Sequence, residues 1–289
     1  MKILVTGATG NIGSLVTRRL IANGYRPSVF VRDAAKARHL FSADVDIRVG
    51  NLAGDQKSLS AAFAGIDSLF LVNSGPGLAE CDRIAALAAK SADVRHVVKL
   101  STLDVHTGVG TGPWHARGEA ALRESGIDFT IVQSAAFMTN ALYWADLIRT
   151  QGVLRSSTGD GKIGFIHPED IADVAVHALT ARDQMGEALV ITGPQALNYA
   201  EMVNMIGEAI GKTIRFIPIT DAQAQMGNDP YSEAIVDIWR AIREGRVETV
   251  TDGVKRVLGR EPRSFKQWAA ENADAFATRG KSRDKGARS

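Results

Sequence analysis

Thr6-Gly7-Ala8-Thr9-Gly10-Asn11-Ile12-Gly13 follows the apolar run Met1 to Val5 and leads into a helical pattern. Glycines at that spacing between a strand and a helix meet the needs of a phosphate cradle. Gly7 turns the chain tightly, Gly10 lets backbone N–H groups approach a pyrophosphate, and Gly13 lets the helix pack closely on the strand with its N-terminal dipole toward the phosphates. The string reads G-x-x-G-x-x-G rather than G-x-G-x-x-G, and its setting between strand and helix is what makes it specific. Gly7, Ala8, Thr9, Gly10, Asn11, Ile12 and Gly13 are therefore candidate cofactor-binding residues. Nineteen positions beyond Gly13, at the end of the second strand-like run, stands Arg32. NAD binders place an acid there for the ribose 2′-hydroxyl, whereas an arginine pairs with a 2′-phosphate, so NADP(H) is expected over NAD(H). Asn51 and Leu52, after the third strand, and Asn73 and Ser74, after the fourth, are adenosine and ribose candidates on the same sheet edge.

A second set of residues suits proton handling. His115 and Glu119 lie one helical turn apart, and an imidazole held by a carboxylate serves either as a proton donor near neutral pH or as a positioning group. Ser101 and Thr102 end the fifth strand-like run and offer hydroxyls at the same edge, so His115, Glu119 and Ser101 form the catalytic candidates. Trp114, Phe137 and Trp144, with Phe165, can line an apolar pocket for a flat acceptor. His167 and Asp170 open a helix, with Asp170 as its cap or first-turn acid. The other histidines lack partners at metal-ligand spacing, and no metal is expected. No Gly-x-Ser-x-Gly elbow and no phosphate-loop Lys-Ser/Thr is present, which sets aside hydrolase chemistry.

These residues need elements to hold them. Strand-length apolar runs at Lys2–Thr6, Arg26–Val31, Asp46–Val49, Ser68–Val72, His96–Leu100 and Phe129–Val132 alternate with helical patterns at Ile12–Asn23, Ala34–Phe41, Gln56–Phe63, Leu78–Ser91 and Trp114–Glu124. That alternation predicts an α/β fold with a doubly wound parallel sheet. After Ser134 the rhythm changes. The pattern predicts a helix at Ala136–Arg149, a hairpin or irregular strand pair at Val153–Ile166 turning at Gly159-Asp160-Gly161, and helices and short strands onward to Phe276. Residues 1–134 are expected to form the nucleotide-binding domain, and residues 135–277 a smaller α/β lobe interwoven with the sheet. Residues 278–289 are expected to form a disordered basic tail.

The net charge of +2 divides into +4 on Thr278–Ser289 and −2 on the rest. The folded part thus lacks the broad basic face of nucleic-acid binders. No apolar run approaches membrane-span length and the N-terminus has no signal-peptide pattern, so the expected address is cytoplasmic, with no membrane partner. Cys81 is the single cysteine, which rules out an intrachain disulfide.

Thr6 to Gly13, Arg32, His115 to Glu119 and Phe165-Ile166-His167-Pro168-Glu169-Asp170-Ile171-Ala172-Asp173 together resemble the NmrA-like group of atypical short-chain dehydrogenases. Within it the chain is most similar to bacterial NAD(P)H-dependent quinone, azo-dye and triphenylmethane reductases. The resemblance covers roughly residues 1–276 and extends to Gly259–Phe265 and the Trp268–Phe276 segment. It implies a Rossmann fold and an NADPH-dependent reductase of an apolar conjugated acceptor such as a quinone, azo compound, enone or imine. The alternative is a non-catalytic NADP(H)-sensing regulator acting through a partner, with a dimer possible in either case. The chain departs from the wider superfamily in that none of Tyr25, Tyr143, Tyr199 and Tyr231 is followed four residues later by lysine. Gln133 also stands where relatives commonly carry arginine.

Overall fold

The computed structural model describes residues 1–225 and 227–277; the expected tail, residues 278–289, lies outside the described residues. In the first half, β1 (Ile3–Thr6), β2 (Ser28–Val31), β3 (Asp46–Val49), β4 (Ser68–Leu71), β5 (His96–Thr102) and β6 (Asp128–Ser134) alternate with α1 (Asn11–Ala22), α2 (Ala34–Phe41), α3 (Gln56–Phe63), α4 (Leu78–Ser91) and α5 (Gly112–Glu124). The bounds of β3, α2, α3 and α4 are those read from the sequence. The second half supplies α6 (Ala145–Gln151), β7 (Val153–Ser156), α7 (Pro168–Ala181), β8 (Ala188–Ile191), α8 (Tyr199–Ile210), β9 (Arg215–Pro218), α9 (Asp221–Ala224), α10 (Pro230–Arg243), α11 (Gly253–Leu258), α12 (Phe265–Glu271) and α13 (Ala273–Phe276).

The main sheet has the order β3-β2-β1-β4-β5-β6-β8, parallel throughout. Strand order reverses between β1 and β4, which opens a crevice at the carboxyl ends of those strands, the place where doubly wound sheets bind ligands. β1, β2, β4 and the centre of β5 are almost continuously apolar and buried because helices cover both faces. One face packs on α1 and α7 through residues such as Val16, Leu20, Val174 and Ala178; the other packs on α3 and α4 through Leu59, Phe63, Ala85 and Ala89.

β8 and α7 come from the second half yet belong to this layer: β8 extends the sheet beyond β6, and α7 lies against α1. The rest of the second half has its own core, rich in aromatic side chains, in which Phe165 stacks on both Tyr199 and Phe265, and Trp268 joins Phe265 to Phe276 through tilted and edge-on contacts.

Two expectations for this half are corrected. The Val153–Ile166 segment forms no hairpin: β7 pairs in parallel with β9, about sixty residues later. Ile163 bridges Leu197, and Ile166 bridges Phe137. Gly161 lies against the Ile242 carbonyl, where a Cβ has no room, so the Gly-Asp-Gly string serves close approach to α10 rather than strand reversal. The continuous helix expected over Ala136–Arg149 is a 3₁₀ segment, Met138–Trp144, running into α6.

At the start of α7, His167 is the cap, its Nδ1 accepting the Glu169 amide at 3.2 Å. Asp170, in the first turn, is fully buried; it accepts the Arg263 amide at 2.7 Å and pairs with the Arg263 and Arg260 guanidinium groups. Those bonds fasten the segment before α12 onto α7.

Candidate active site

A cleft of about 740 Å³ runs along the carboxyl ends of β1, β2, β4, β5 and β6. Its first wall is built mainly of backbone. Gly7 has φ +58°, and a Cβ there would stand 2.6 Å from Val72 Cγ1. A Cβ on Gly13 would collide with the Gly7 carbonyl, so only glycine lets α1 start this close to β1. Gly10 caps α1 without any side-chain hydrogen bond, and the first turn carries no acid. The N–H groups of that turn are thus left for an anion, with the helix dipole reinforcing the attraction. Around Gly10 a Cβ would meet only the Gly7 oxygen, at 3.2 Å, so a longer side chain there would extend into the cleft.

Gly7, Thr9, Gly10, Asn11, Ile12, Gly13, Arg32, Asn51, Leu52, Asn73 and Ser74 all border the cleft. Ala8 does not; it is fully buried with the core beneath the loop, so its side chain is structural. Arg32 is exposed and makes no ion pair among the described residues, because neighbouring Asp33 accepts the Ala35 and Lys36 amides at the start of α2. Lys36 borders the cleft beside it. An uncapped helix start, a glycine cradle and a free guanidinium at the end of β2 are the donors that a dinucleotide with a 2′-phosphate needs, and the site fits NADP(H).

The second wall is built of side chains: Ser101 and Thr102 at the end of β5, Asp104 in the following turn, His115 on α5, Phe137 and Asn140 after β6, and Tyr231, Ile235 and Ile238 on α10. Here the sequence expectation for Glu119 is corrected. Glu119 is 3% exposed, and its carboxylate is taken up by groups other than His115. It accepts the Ser101 hydroxyl at 2.6 Å, both of its oxygens accept the Gln133 amide at 2.9 and 3.0 Å, and Arg123 reaches it at 3.1 Å. Parallel pairing explains the choice, since Ser101 and Gln133 are register partners on β5 and β6 and present a hydroxyl and an amide side by side. Gln133 Oε1 in turn meets His106 Nε2 at 2.9 Å.

His115 Nδ1 is buried without a hydrogen-bond partner. Burial, with the Lys99 charge adding to it, pushes the His115 pKa down to about 3, so the ring is neutral near neutral pH. Lys99 is fully buried against the equally buried Asp82 at 2.5 Å, and burial raises the Asp82 pKa despite that partner.

The aromatic pocket is smaller than expected. Phe137 lines the cleft, whereas Trp114 and Trp144 do not. Trp144 packs on Tyr199 and Phe165, where the second half needs large apolar side chains to fill its own core. Sequence reading missed Asp104 and the α10 residues. Asp104 follows Ser101 and Thr102 closely enough to have been suspected, but nothing local connects Tyr231, Ile235 or Ile238 to a cleft formed by residues 7–140. Among the described residues, no group of three or more His, Cys, Asp or Glu side chains is placed to hold a metal ion.

Residues 7–182 match the family described as NAD(P)H-binding. The chain is 36% identical over 283 residues to the (4-alkanoyl-5-oxo-2,5-dihydrofuran-3-yl)methyl phosphate reductase of Streptomyces griseus subsp. griseus, with 95% of this chain and 99% of that protein covered. It is 35% identical over 289 residues to the NAD(P)H azoreductase of Xenophilus azovorans, with the same coverage. Its fold superposes with TM-score 0.85 on the NADPH-dependent quinone oxidoreductase of Escherichia coli complexed with NADPH, at 23% identity, covering 94% of this chain and 99% of the other.

Proposed function

The chain belongs to the NAD(P)H-binding family, in its NmrA-like group of atypical short-chain reductases, and from that premise we propose that it is an NADPH-dependent reductase of an apolar, conjugated small molecule: a quinone, azo compound, enone or imine. The observation that carries this reading is the asymmetry of the cleft. One wall offers an uncapped helix start and a free arginine for a phosphorylated dinucleotide. The other sets Phe137, Ile235, Ile238 and the Tyr231 ring beside the polar side chains of Ser101, Thr102, Asp104, His115 and Asn140, so an apolar body and a polar edge can be held together. Relatives of nearly equal identity are named for an azo substrate and for a dihydrofuranyl phosphate, which fits a site that recognises electron-poor conjugation more than one functional group.

A bound dihydronicotinamide would supply hydride; the protein supplies orientation and a proton. The first-turn N–H groups of α1 would hold the pyrophosphate, and Arg32, with Lys36 beside it, would hold the 2′-phosphate and favour NADPH over NADH. Because Ser101 donates its hydroxyl proton to Glu119, toward the cleft it acts as a hydrogen-bond acceptor. His115, being neutral, orients a ligand by a hydrogen bond and is not an imidazolium acid. A conjugated acceptor spreads the incoming charge over its own heteroatoms, which is why the site manages without a Tyr-x-x-x-Lys pair.

In this reading residues 1–134 hold the cofactor, residues 135–277 close over the acceptor, and the enzyme acts in the cytoplasm; no helix among the described residues is long and apolar enough to cross a membrane. The test is NADPH oxidation against a panel of quinones, azo dyes and enones, beside NADPH and NADH affinities by calorimetry. Turnover on at least one class is expected. Tight NADPH binding with no turnover on any acceptor would overturn the reading in favour of a redox-sensing regulator.

A further inference from the structure

Reduction of a conjugated acceptor leaves an anion that must be protonated, and the residues considered so far do not provide the acid. The His115 ring is neutral, and the Ser101 proton is directed to Glu119. We propose that Asp104, in the turn after β5, is the proton donor to the reduced acceptor, a role that rests on the reductase reading above.

The placement of Asp104 supports this. It lines the cleft, as do Thr102, Thr111 and the α10 side chains Ile235 and Ile238. It also borders a second cavity, of about 280 Å³, whose wall includes His106 and Thr107, so Asp104 is shared by the reaction cleft and a separate space. Two reciprocal bonds fix it: Thr102 Oγ1 donates to Asp104 Oδ2 at 3.1 Å and accepts the Asp104 amide at 3.3 Å. Gly112 at the start of α5 closes on the Asp104 backbone so tightly that a Cβ would collide with the Asp104 carbonyl, which holds the turn against the helix.

The groups around the carboxyl favour its protonated form. Burial raises its pKa most; the Thr102 hydrogen bond works against that, and the Asp237 carboxylate on α10 adds to the rise. Asp237 is itself held in place, accepting the Gly110 amide at 2.8 Å. The other titratable groups that line the second wall of the cleft or the second cavity are His106 on the same turn, His115 from α5 and Tyr231 from α10. No cation pairs with Asp104 among the described residues. Burial and a neighbouring like charge are the recurrent means by which a carboxyl is made a better proton donor than an ordinary aspartate.

The step balances as follows. Hydride adds two electrons and one hydrogen to one end of the conjugated bond. As charge gathers at the other end, the Asp104 O–H bond breaks and a new O–H, N–H or C–H bond forms on the acceptor. The carboxylate left behind is reprotonated from water, and the nicotinamide leaves oxidised.

Three variants and a measurement independent of turnover test this. Asp104→Asn is expected to lower kcat ~10²-fold, with NADPH affinity within a factor of about two. It should also remove the loss of kcat that the parent shows as pH rises through the Asp104 pKa. Asp237→Asn takes away a negative neighbour and should move that loss to lower pH; Thr102→Val takes away a bond that favours the ionised form and should move it to higher pH. In the apoprotein, the infrared band of a protonated carboxyl should titrate with the same midpoint, shift in the same opposite directions in those two variants, and vanish in Asp104→Asn. An active Asp104→Asn enzyme with the parent's pH profile would overturn the assignment while leaving the reductase intact, as would an apoprotein whose Asp104 titrates as an ordinary carboxylate. A parent inactive on every acceptor would overturn the reductase reading itself and the donor role with it.

Discussion

The two walls of the cleft are made of different things. The wall toward residues 7–74 depends on what is missing: side chains at Gly7, Gly10 and Gly13, a side-chain cap on α1, and, among the described residues, an ion-pair partner for Arg32. The wall toward residues 101–140 and 231–238 depends on what is present, namely hydroxyls, an imidazole, a carboxyl and apolar side chains brought from four separate stretches of chain. Added atoms should therefore damage the first wall, whereas the second should respond to lost polar atoms with cofactor affinity nearly unchanged.

The largest expected effect lies beneath the second wall. Lys99→Met leaves Asp82 as an unpaired buried acid and should cost roughly 3–5 kcal/mol in denaturant unfolding, with much of the loss recovered when Asp82→Leu is added. If the single variant is as stable as the parent, the pair is not holding β5 to α4. Losing the Lys99 charge should also let His115 accept a proton more readily. Next, Gly10→Val should weaken both cofactors by more than about a hundredfold, roughly 2.7 kcal/mol, while circular dichroism shows the fold intact. Retained affinity would mean that the first wall does not depend on empty space. Arg32→Ala should erase an NADPH preference of at least tenfold, about 1.4 kcal/mol, mainly by weakening NADPH; unchanged selectivity in calorimetry removes Arg32 from the site. The smallest effect is the most telling contrast: His115→Ala should lower turnover but change NADPH affinity by no more than a factor of about two, ~0.4 kcal/mol.

Acid should act on two buried histidines. His96 is fully buried with a pKa near 4 and His115 has one near 3, each below the ordinary value because burial disfavours the charged ring. Below pH 6.5 the unfolded chain takes up protons at these rings that the folded protein refuses until about pH 4 and pH 3. Stability is therefore fully present above pH 6.5 and falls as pH drops, with a slope of up to about 1.4 kcal/mol per pH unit for each ring. Asp82, with its raised pKa, opposes the trend. A plot of unfolding free energy that is flat from pH 7 to pH 5 would contradict this.

Much of the first wall could be read from the sequence because each of its parts is local. The glycine spacing, the helix that follows it and the residue at the end of β2 all lie within thirty-two positions of the N-terminus. The regular βα alternation gave the bounds of β3, α2, α3 and α4 for the same reason. The second wall was obscure where its geometry depends on pairing between distant segments. Helical spacing correctly set His115 and Glu119 one turn apart, but the partner of Glu119 was decided by the register of β5 against β6, which brings Ser101 and Gln133 together. Likewise, the Gly159–Gly161 string has the residues of a turn, and only the later approach of α10 and the arrival of β9 show that it makes no hairpin.

The late arrival of β8 bears on how the protein is made. On the ribosome, β6 leaves the exit tunnel with one edge unpaired, and the strand that covers that edge is translated more than fifty residues later. At an elongation rate of ~5–20 residues per second, the interval is about 3–11 s. During that time the nascent chain carries an open, apolar parallel edge of the kind that recruits other chains. Slow codons between the two strands would prolong this exposure.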